Sequence, residues 1–392
     1  MSFFSGVFRR GSAQSAVLLC AVLALTAACS FGQPDADQQG TPPNLPKPSG
    51  EASASSEPEG DSEVAVTVLA KGLEIPWGMA FLPDGAALVT ERDTGRILQV
   101  GPQSDANGLT VTEMQRLAEV QASGDGGLLG IAVSPKYSAD KTVFVYYSTA
   151  KDNRIGKLVL KGKLQPIVTG IPRSPDDNGG ALAFGPDGYL YAGTGDATNG
   201  TQAQNPKSLG GKILRMTTAG KPAPGNPIKN SLVWSLGHRN VQGLAWDKTK
   251  RMYATENGQP KSGELNVIVK GKNYGWAKAD GASADTALAS PIYTWPVADS
   301  YCSGVGVIEQ TVATACLLGK RVWLLDITDN GTVLGTPQAL LTGEYGRLRG
   351  LVAAPDGSLW VSTSNQEDAG DPAPDDDRII RLVFSAGGAG IT

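Results

Sequence analysis

The chain is poor in the residues on which many enzyme mechanisms depend. It holds a single histidine, His238, in 392 residues. A Ser/His/Asp set, an HExxH helix and a phosphate-cradling glycine loop are all absent, which removes support for the common hydrolase mechanisms. Four cysteines occur with no CxxC spacing, so neither a redox motif nor a cysteine zinc site is indicated. No stretch keeps a 3.6-residue apolar period, and the one apolar run, Ala16 to Leu25, is too short to span a bilayer as a mature helix. Positive charge is not in excess. Arg9 and Arg10 are the charges of the first thirty residues and residues 31–63 carry seven acids against Lys47, so the overall −4 leaves the rest of the chain neutral. A neutral domain has no general attraction for nucleic acid, which is excluded as a partner. What is abundant is glycine: 50 residues, beside a hydrophobic fraction of 41%, suit a turn-rich β protein.

The N-terminus is read as an address. Arg9 and Arg10 precede the apolar run, and Thr26-Ala27-Ala28-Cys29 follows it. Small residues directly before a cysteine resemble a lipobox, so residues 1–28 are expected to be a lipoprotein signal peptide and Cys29 the lipidated first residue. The alternative is an ordinary secretory signal that leaves Cys29 as a free thiol. Residues 29–63 are rich in Pro, Ser, Gly and acids and have few large apolar side chains, so a flexible linker is expected there. The protein is accordingly expected outside the cell, anchored to the outer face of the membrane. With Cys20 removed and Cys29 modified, Cys302 and Cys316 remain. In an oxidising compartment this pair is expected to form a disulfide, with two buried free thiols as the alternative.

The domain from residue 64 to 385 repeats, ahead of an expected disordered tail at 386–392. Trp77-Gly-Met-Ala-Phe-Leu-Pro-Asp-Gly85, Gly180-Ala-Leu-Ala-Phe-Gly-Pro-Asp-Gly188 and Arg349-Gly-Leu-Val-Ala-Ala-Pro-Asp-Gly357 are copies of one unit, each running on into an apolar strand. The pattern is a hairpin: strand, Pro-Asp-Gly turn, strand. Segments such as Gly95–Val100 and Lys212–Met216 read as the outer edges of these units. Repeat starts at Gly78, Gly130, Gly180, Gly243 and Gly350 lie 52, 50, 63 and 107 residues apart, and Gly304 marks a unit hidden in the last gap. Six units of four short strands define an all-β fold, a six-bladed β-propeller.

Propellers bind ligands over the central channel, where loops of all blades converge. Four polar sets lie in the connections between units: Gly124-Asp125-Gly126 with Leu128-Leu129, Asp176-Asp177-Asn178, Gly237-His-Arg-Asn240 with Glu256 and Glu264, and Arg347-Leu-Arg349. Alternate strand residues share a face, so Arg347 and Arg349 point the same way and suit a ligand with several carboxylates or phosphates. Read alone, they also fit a salt-bridged blade edge, His238 a structural role, and Asp176 and Asp177 a turn.

The stretches Val89-Thr-Glu-Arg92, Gly124–Gly130, Asn178-Gly-Gly180 with Gly193-Thr-Gly-Asp196, Gly237-His-Arg-Asn-Val-Gln-Gly243, Gly271-Lys-Asn-Tyr-Gly-Trp276 and Arg347-Leu-Arg349 occur in the order seen in the glucose/sorbosone dehydrogenase family, which the chain resembles from about 64 to 383. The resemblance implies a six-bladed propeller that uses pyrroloquinoline quinone (PQQ) and calcium to oxidise a sugar or other alcohol. It also implies that Asp125, Arg239, Asn240, Arg347, Arg349 and a lysine near Lys320 hold the cofactor, and that backbone carbonyls of Gly258 and Gln259 face the calcium. The chain departs from the pattern where the chemistry happens. Asp177 stands where the family has its catalytic histidine, and Ala181 where it has an arginine. Two functions therefore stand side by side: a membrane-anchored quinone-dependent dehydrogenase with Asp177 as the base, and a propeller that has lost the reaction and binds a glycan or a cell-envelope protein. A calcium-assisted lactone hydrolase is a third.

Overall fold

A computed structural model of the chain describes residues 64–105, 108–257, 262–367 and 370–385. The expected signal peptide, Cys29, the linker and the 386–392 tail lie outside the described residues, as do Gly258 and Gln259. No described helix is long and apolar enough to cross a membrane.

Among the described residues, twenty-four strands form six four-stranded antiparallel sheets. Their first strands are Pro76–Phe81, Leu128–Val133, Gly179–Phe184, Val241–Trp246, Cys302–Ile308 and Leu348–Ala353. Each touches the next, and the sixth touches the first, so these strands line a closed ring. Five blades follow chain order outward. The sixth takes its outermost strand from the start of the domain, Val64–Ala70, which pairs with Ile379–Phe384 and so fastens the ring.

Local chemistry sets the hairpins. In the first unit, Leu82 N donates to Ala86 O at 2.7 Å, the Asp84 carboxylate accepts from Ala86 N at 3.1 Å, and Gly85 takes φ +84°. Asp356 and Gly357 repeat the arrangement in the sixth. Apolar residues then pack between neighbouring blades: Trp77 of the first blade lies with Leu129 and Phe144 of the second and Leu182 of the third. Trp295 and Trp360 are almost fully buried, and burial of side chains this large contributes on the order of 2–3 kcal/mol each.

One sequence expectation is corrected. Gly95–Val100 and Lys212–Met216 belong to the third strands of their blades, and the outer edges are Gly108–Arg116 and Val233–Leu236. A third strand is sandwiched and apolar, whereas Gly108–Arg116 is largely solvent-facing, so the fourth strand carries the weaker apolar signal.

Cys302 and Cys316 face each other in register on adjacent strands of the fifth blade and form a disulfide, with Cα atoms 3.8 Å apart.

Candidate functional site

In a blade of up-and-down strands, the link from one blade to the next and the link between second and third strands emerge at the same end. Asp125, Asp177, Arg239, Asn240 and Arg347 come from the first kind of link or its junction with an innermost strand, and Arg92, Asp196 and Glu367 from the second kind. The glycine-rich connections let these links interlock. A Cβ on Gly195 would sit 1.7 Å from the carbonyl oxygen of Asp177, and one on Gly124 would sit 2.1 Å from that of Pro175. With no side chain in the way, Asp125 N donates to Pro175 O at 2.7 Å and Ala197 N to Asp177 O at 3.0 Å. Asp177 itself takes φ +57° and buries its side chain.

Three guanidiniums converge on one carboxylate. Glu367 Oε1 accepts from Arg92 Nη1 at 2.7 Å and from Arg349 Nη2, while Oε2 accepts from Arg347 Nη2 at 2.9 Å. All four side chains are buried. Burial alone would raise the Glu367 pKa, but Arg349, Arg92 and Arg347 outweigh it and hold the carboxyl down at about 2. The buried Nε of Arg347 bonds to nothing among the described residues.

Beside this cluster stand two acids whose pKa values move the other way. Burial raises Asp125 above the usual carboxylate range, against the pull of Arg349 and Arg92. Burial likewise pushes Asp177 up to about 6, with Arg239 lowering it and Asp196 and Asp125 raising it. Arg239 donates to Asp177 Oδ2 from Nε at 3.2 Å and Nη2 at 3.1 Å, and its guanidinium lies over the Trp276 ring, 4.9 Å from the centroid. Trp276 in turn donates to Asp196 at 2.6 Å. Asn240 accepts from Gly179 N at 2.8 Å and from Gln242 Nε2 at 3.0 Å, and Gln242 accepts from Arg349 Nη1 at 3.4 Å. Hydrogen bonds and direct electrostatic coupling thus join Asp125, Asp177, Arg239, Asn240, Arg347 and Arg349, which come from widely separated parts of the sequence, into one network.

Lys320 does not join that network. Its loop emerges at the same end of the propeller, but the residue is exposed and, among the described residues, only its carbonyl is engaged, by Gly343 N at 2.8 Å. His238 takes the structural role. It is fully buried, stacks on Tyr274 at 4.7 Å, and its ring nitrogens lie 2.8 Å from Ser235 Oγ and 2.8 Å from Glu256 Oε2. Glu264 faces Glu256 across adjacent strands, and burial first and that neighbour second push it up to about 7. Among the described residues no group of three His, Cys, Asp or Glu side chains is placed to hold a metal ion.

Arg92, Gln242 and Glu367 carry as much of the site as the residues singled out from sequence. Arg92 and Gln242 lay inside recognised stretches with no role attached. Glu367 had no signal, being one acid among several in a loop.

The described residues thus form a closed six-bladed β-propeller with a buried cluster of arginines and acids gathered at one end. Residues 73–370 match the family model for glucose/sorbosone dehydrogenases, and the chain belongs to that family. The aldose sugar dehydrogenase YliI of Escherichia coli is 28% identical over 342 residues, covering 76% of this chain and 90% of that protein. The quinoprotein glucose dehydrogenase B of Acinetobacter calcoaceticus is 31% identical over 272 residues, 60% of this chain and 56% of that protein. The PQQ-bound aldose sugar dehydrogenase of Streptomyces coelicolor superposes with a TM-score of 0.79 at 43% identity, covering 83% of this chain and 100% of that one.

Proposed function

We propose that this protein is a PQQ- and calcium-dependent dehydrogenase that oxidises a sugar or other alcohol, exported and held to the outer face of the membrane by a lipid on Cys29. One observation carries the cofactor assignment: three buried arginines share a single carboxylate, and the buried Nε of Arg347 has no partner among the described residues. A buried donor without a partner costs about 1–3 kcal/mol, so this donor-rich set fits a ligand bearing several carboxylates. Arg347, Arg349, Arg239 and Asn240 would hold PQQ, with Asp125 beside them. Calcium would take the carbonyls of Gly258 and Gln259.

When bound, PQQ supplies the two-electron oxidant for the alcohol carbon. The chain's own contribution is a base. Arg239 occupies Asp177 Oδ2, which leaves Oδ1 to accept the hydroxyl proton of the substrate. Near-neutral basicity makes the exchange workable, since a carboxylate at about 6 is ionised at pH 7 yet is a stronger base than an ordinary aspartate. Arg239 orients that carboxylate; the Trp276 ring, which donates to the Asp196 carboxylate, lies against the Arg239 guanidinium, and Asp196 N donates to the Arg239 carbonyl.

Calorimetric titration of the purified protein with PQQ, with and without calcium, tests this. Binding is expected to require calcium. Arg349→Ala removes a charge-assisted carboxylate contact worth ~1.5–3 kcal/mol, so affinity is expected to fall more than tenfold. No binding by the wild type, or full binding by the variant, refutes the assignment.

A further inference from the structure

Gln242 sits on the innermost strand of the fourth blade and is almost completely buried. Its amide reaches four blades. Nε2 donates to Asn240 Oδ1 at 3.0 Å and to Gly179 O at 3.4 Å, and Oε1 accepts from Ser303 Oγ at 3.2 Å and from Arg349 Nη1 at 3.4 Å. Both donors and both acceptor positions are used.

The direction of this chain is forced by chemistry. A guanidinium has only donors, so the Gln242 atom that faces Arg349 is oxygen. A backbone carbonyl only accepts, so the atom facing Gly179 O is nitrogen. A backbone N–H only donates, so the Asn240 atom facing Gly179 N is oxygen. Asn240 Oδ1 is thereby filled twice, and its Nδ2 makes no bond within the described residues. The amide of Asn240 has one orientation left, with its NH₂ group as the free end.

We infer that Gln242 is a positioning residue, a polarity relay that ties the orientation of Asn240 to Arg349 and makes Asn240 present its NH₂ donors beside the Arg349 guanidinium. This rests on the assignment of Asn240 and Arg349 to the cofactor site. The relay fits a ligand whose facing atoms are carboxylate or carbonyl oxygens, and it rejects one that offers N–H or O–H there. Without Gln242, the Asn240 amide oxygen keeps only Gly179 N, and Arg349 loses its contact with the fourth blade.

A double-mutant cycle tests it, because groups that act through one another are not additive. PQQ dissociation constants are measured by calorimetry in the presence of calcium for wild type, Gln242→Met, Asn240→Ala and the double variant. Gln242→Met is expected to weaken binding about tenfold, and the double variant to bind no more weakly than Asn240→Ala alone. Tyr191→Phe, which removes a hydrogen bond to Asp187 at the other end of the third blade, controls for stability: its melting midpoint is expected to fall while its dissociation constant stays at the wild-type value. Additive losses, or a Gln242→Met protein that binds like wild type, overturn the relay. The side-chain amide ¹H–¹⁵N pair of Asn240, identified by its loss in Asn240→Ala, reads the same relay in the ligand-free protein. It is expected to shift or broaden in Gln242→Met, and an unmoved pair overturns the inference. If wild type binds no PQQ, the cofactor assignment fails, and the amide signal still decides the relay.

Discussion

Replacing Glu367 by glutamine isolates the central electrostatic feature of the arginine cluster. In the folded protein the carboxyl sits at about 2 against an ordinary 4.5. At about 1.36 kcal/mol per pKa unit, this corresponds to ~3 kcal/mol of folding stability. The sign follows from proton binding. Between pH 2 and 4.5 the unfolded chain binds the proton and the folded one does not, so the contribution is complete above pH 4.5 and is lost as pH falls through 4.5 towards 2. Glutamine also takes the carboxylate partner from the buried Arg347 and Arg349 and leaves Arg92 with Asp93 alone, and breaking a buried pair from one side typically costs 3–5 kcal/mol. Urea unfolding followed by tryptophan fluorescence is therefore expected to show a deficit of ~3–5 kcal/mol for Glu367→Gln at pH 7, narrowing steadily below pH 4.5. Citrate, a small polycarboxylate, is expected to raise the midpoint of the variant more than that of wild type, because it supplies the missing negative charge. A deficit under ~1 kcal/mol at pH 7, of the size of an exposed ion pair, refutes the reasoning, and so does a deficit that stays constant to pH 2.5.

Asp177→Asn is expected to abolish sugar oxidation while leaving PQQ affinity within a few-fold. Wild-type turnover is expected to fall as pH drops through about 6, where Asp177 takes up its proton; retained turnover in the variant would remove Asp177 as the base. Cys302→Ala with Cys316→Ala opens a loop with a sequence separation of 14, so a loss of ~3 kcal/mol is expected by chain entropy, matched by reducing the wild type before unfolding. Cys29→Ala is expected to release the protein from membranes into the soluble fraction on cell fractionation, and a variant that stays with the membrane rules out the lipid anchor.

The sequence by itself determined the blade. Pro-Asp-Gly turns between apolar strands are local hydrogen-bond chemistry, repeated at a period that only a ring of sheets satisfies, and they were legible at Gly85, Gly188 and Gly357 alike. The pair Cys302 and Cys316 was legible as well, because few cysteines leave few choices. Arg347 and Arg349 could be placed on one face, since strand alternation is a nearest-neighbour rule. Which acid they meet was beyond such rules. Arg347 and Arg349 meet Glu367 within the sixth blade, ring closure brings in Arg92 from 275 residues away, and no local pattern distinguishes Glu367 from its acidic neighbours. The same holds for the basicity of Asp177. Its adjacency to Asp176 was visible, yet the rise to about 6 comes first from burial against a neighbouring blade and is moderated by Arg239, 62 residues away. The depth of a carboxylate and the distance to its counter-charge exist only once the propeller has closed, and tertiary structure alone decided them.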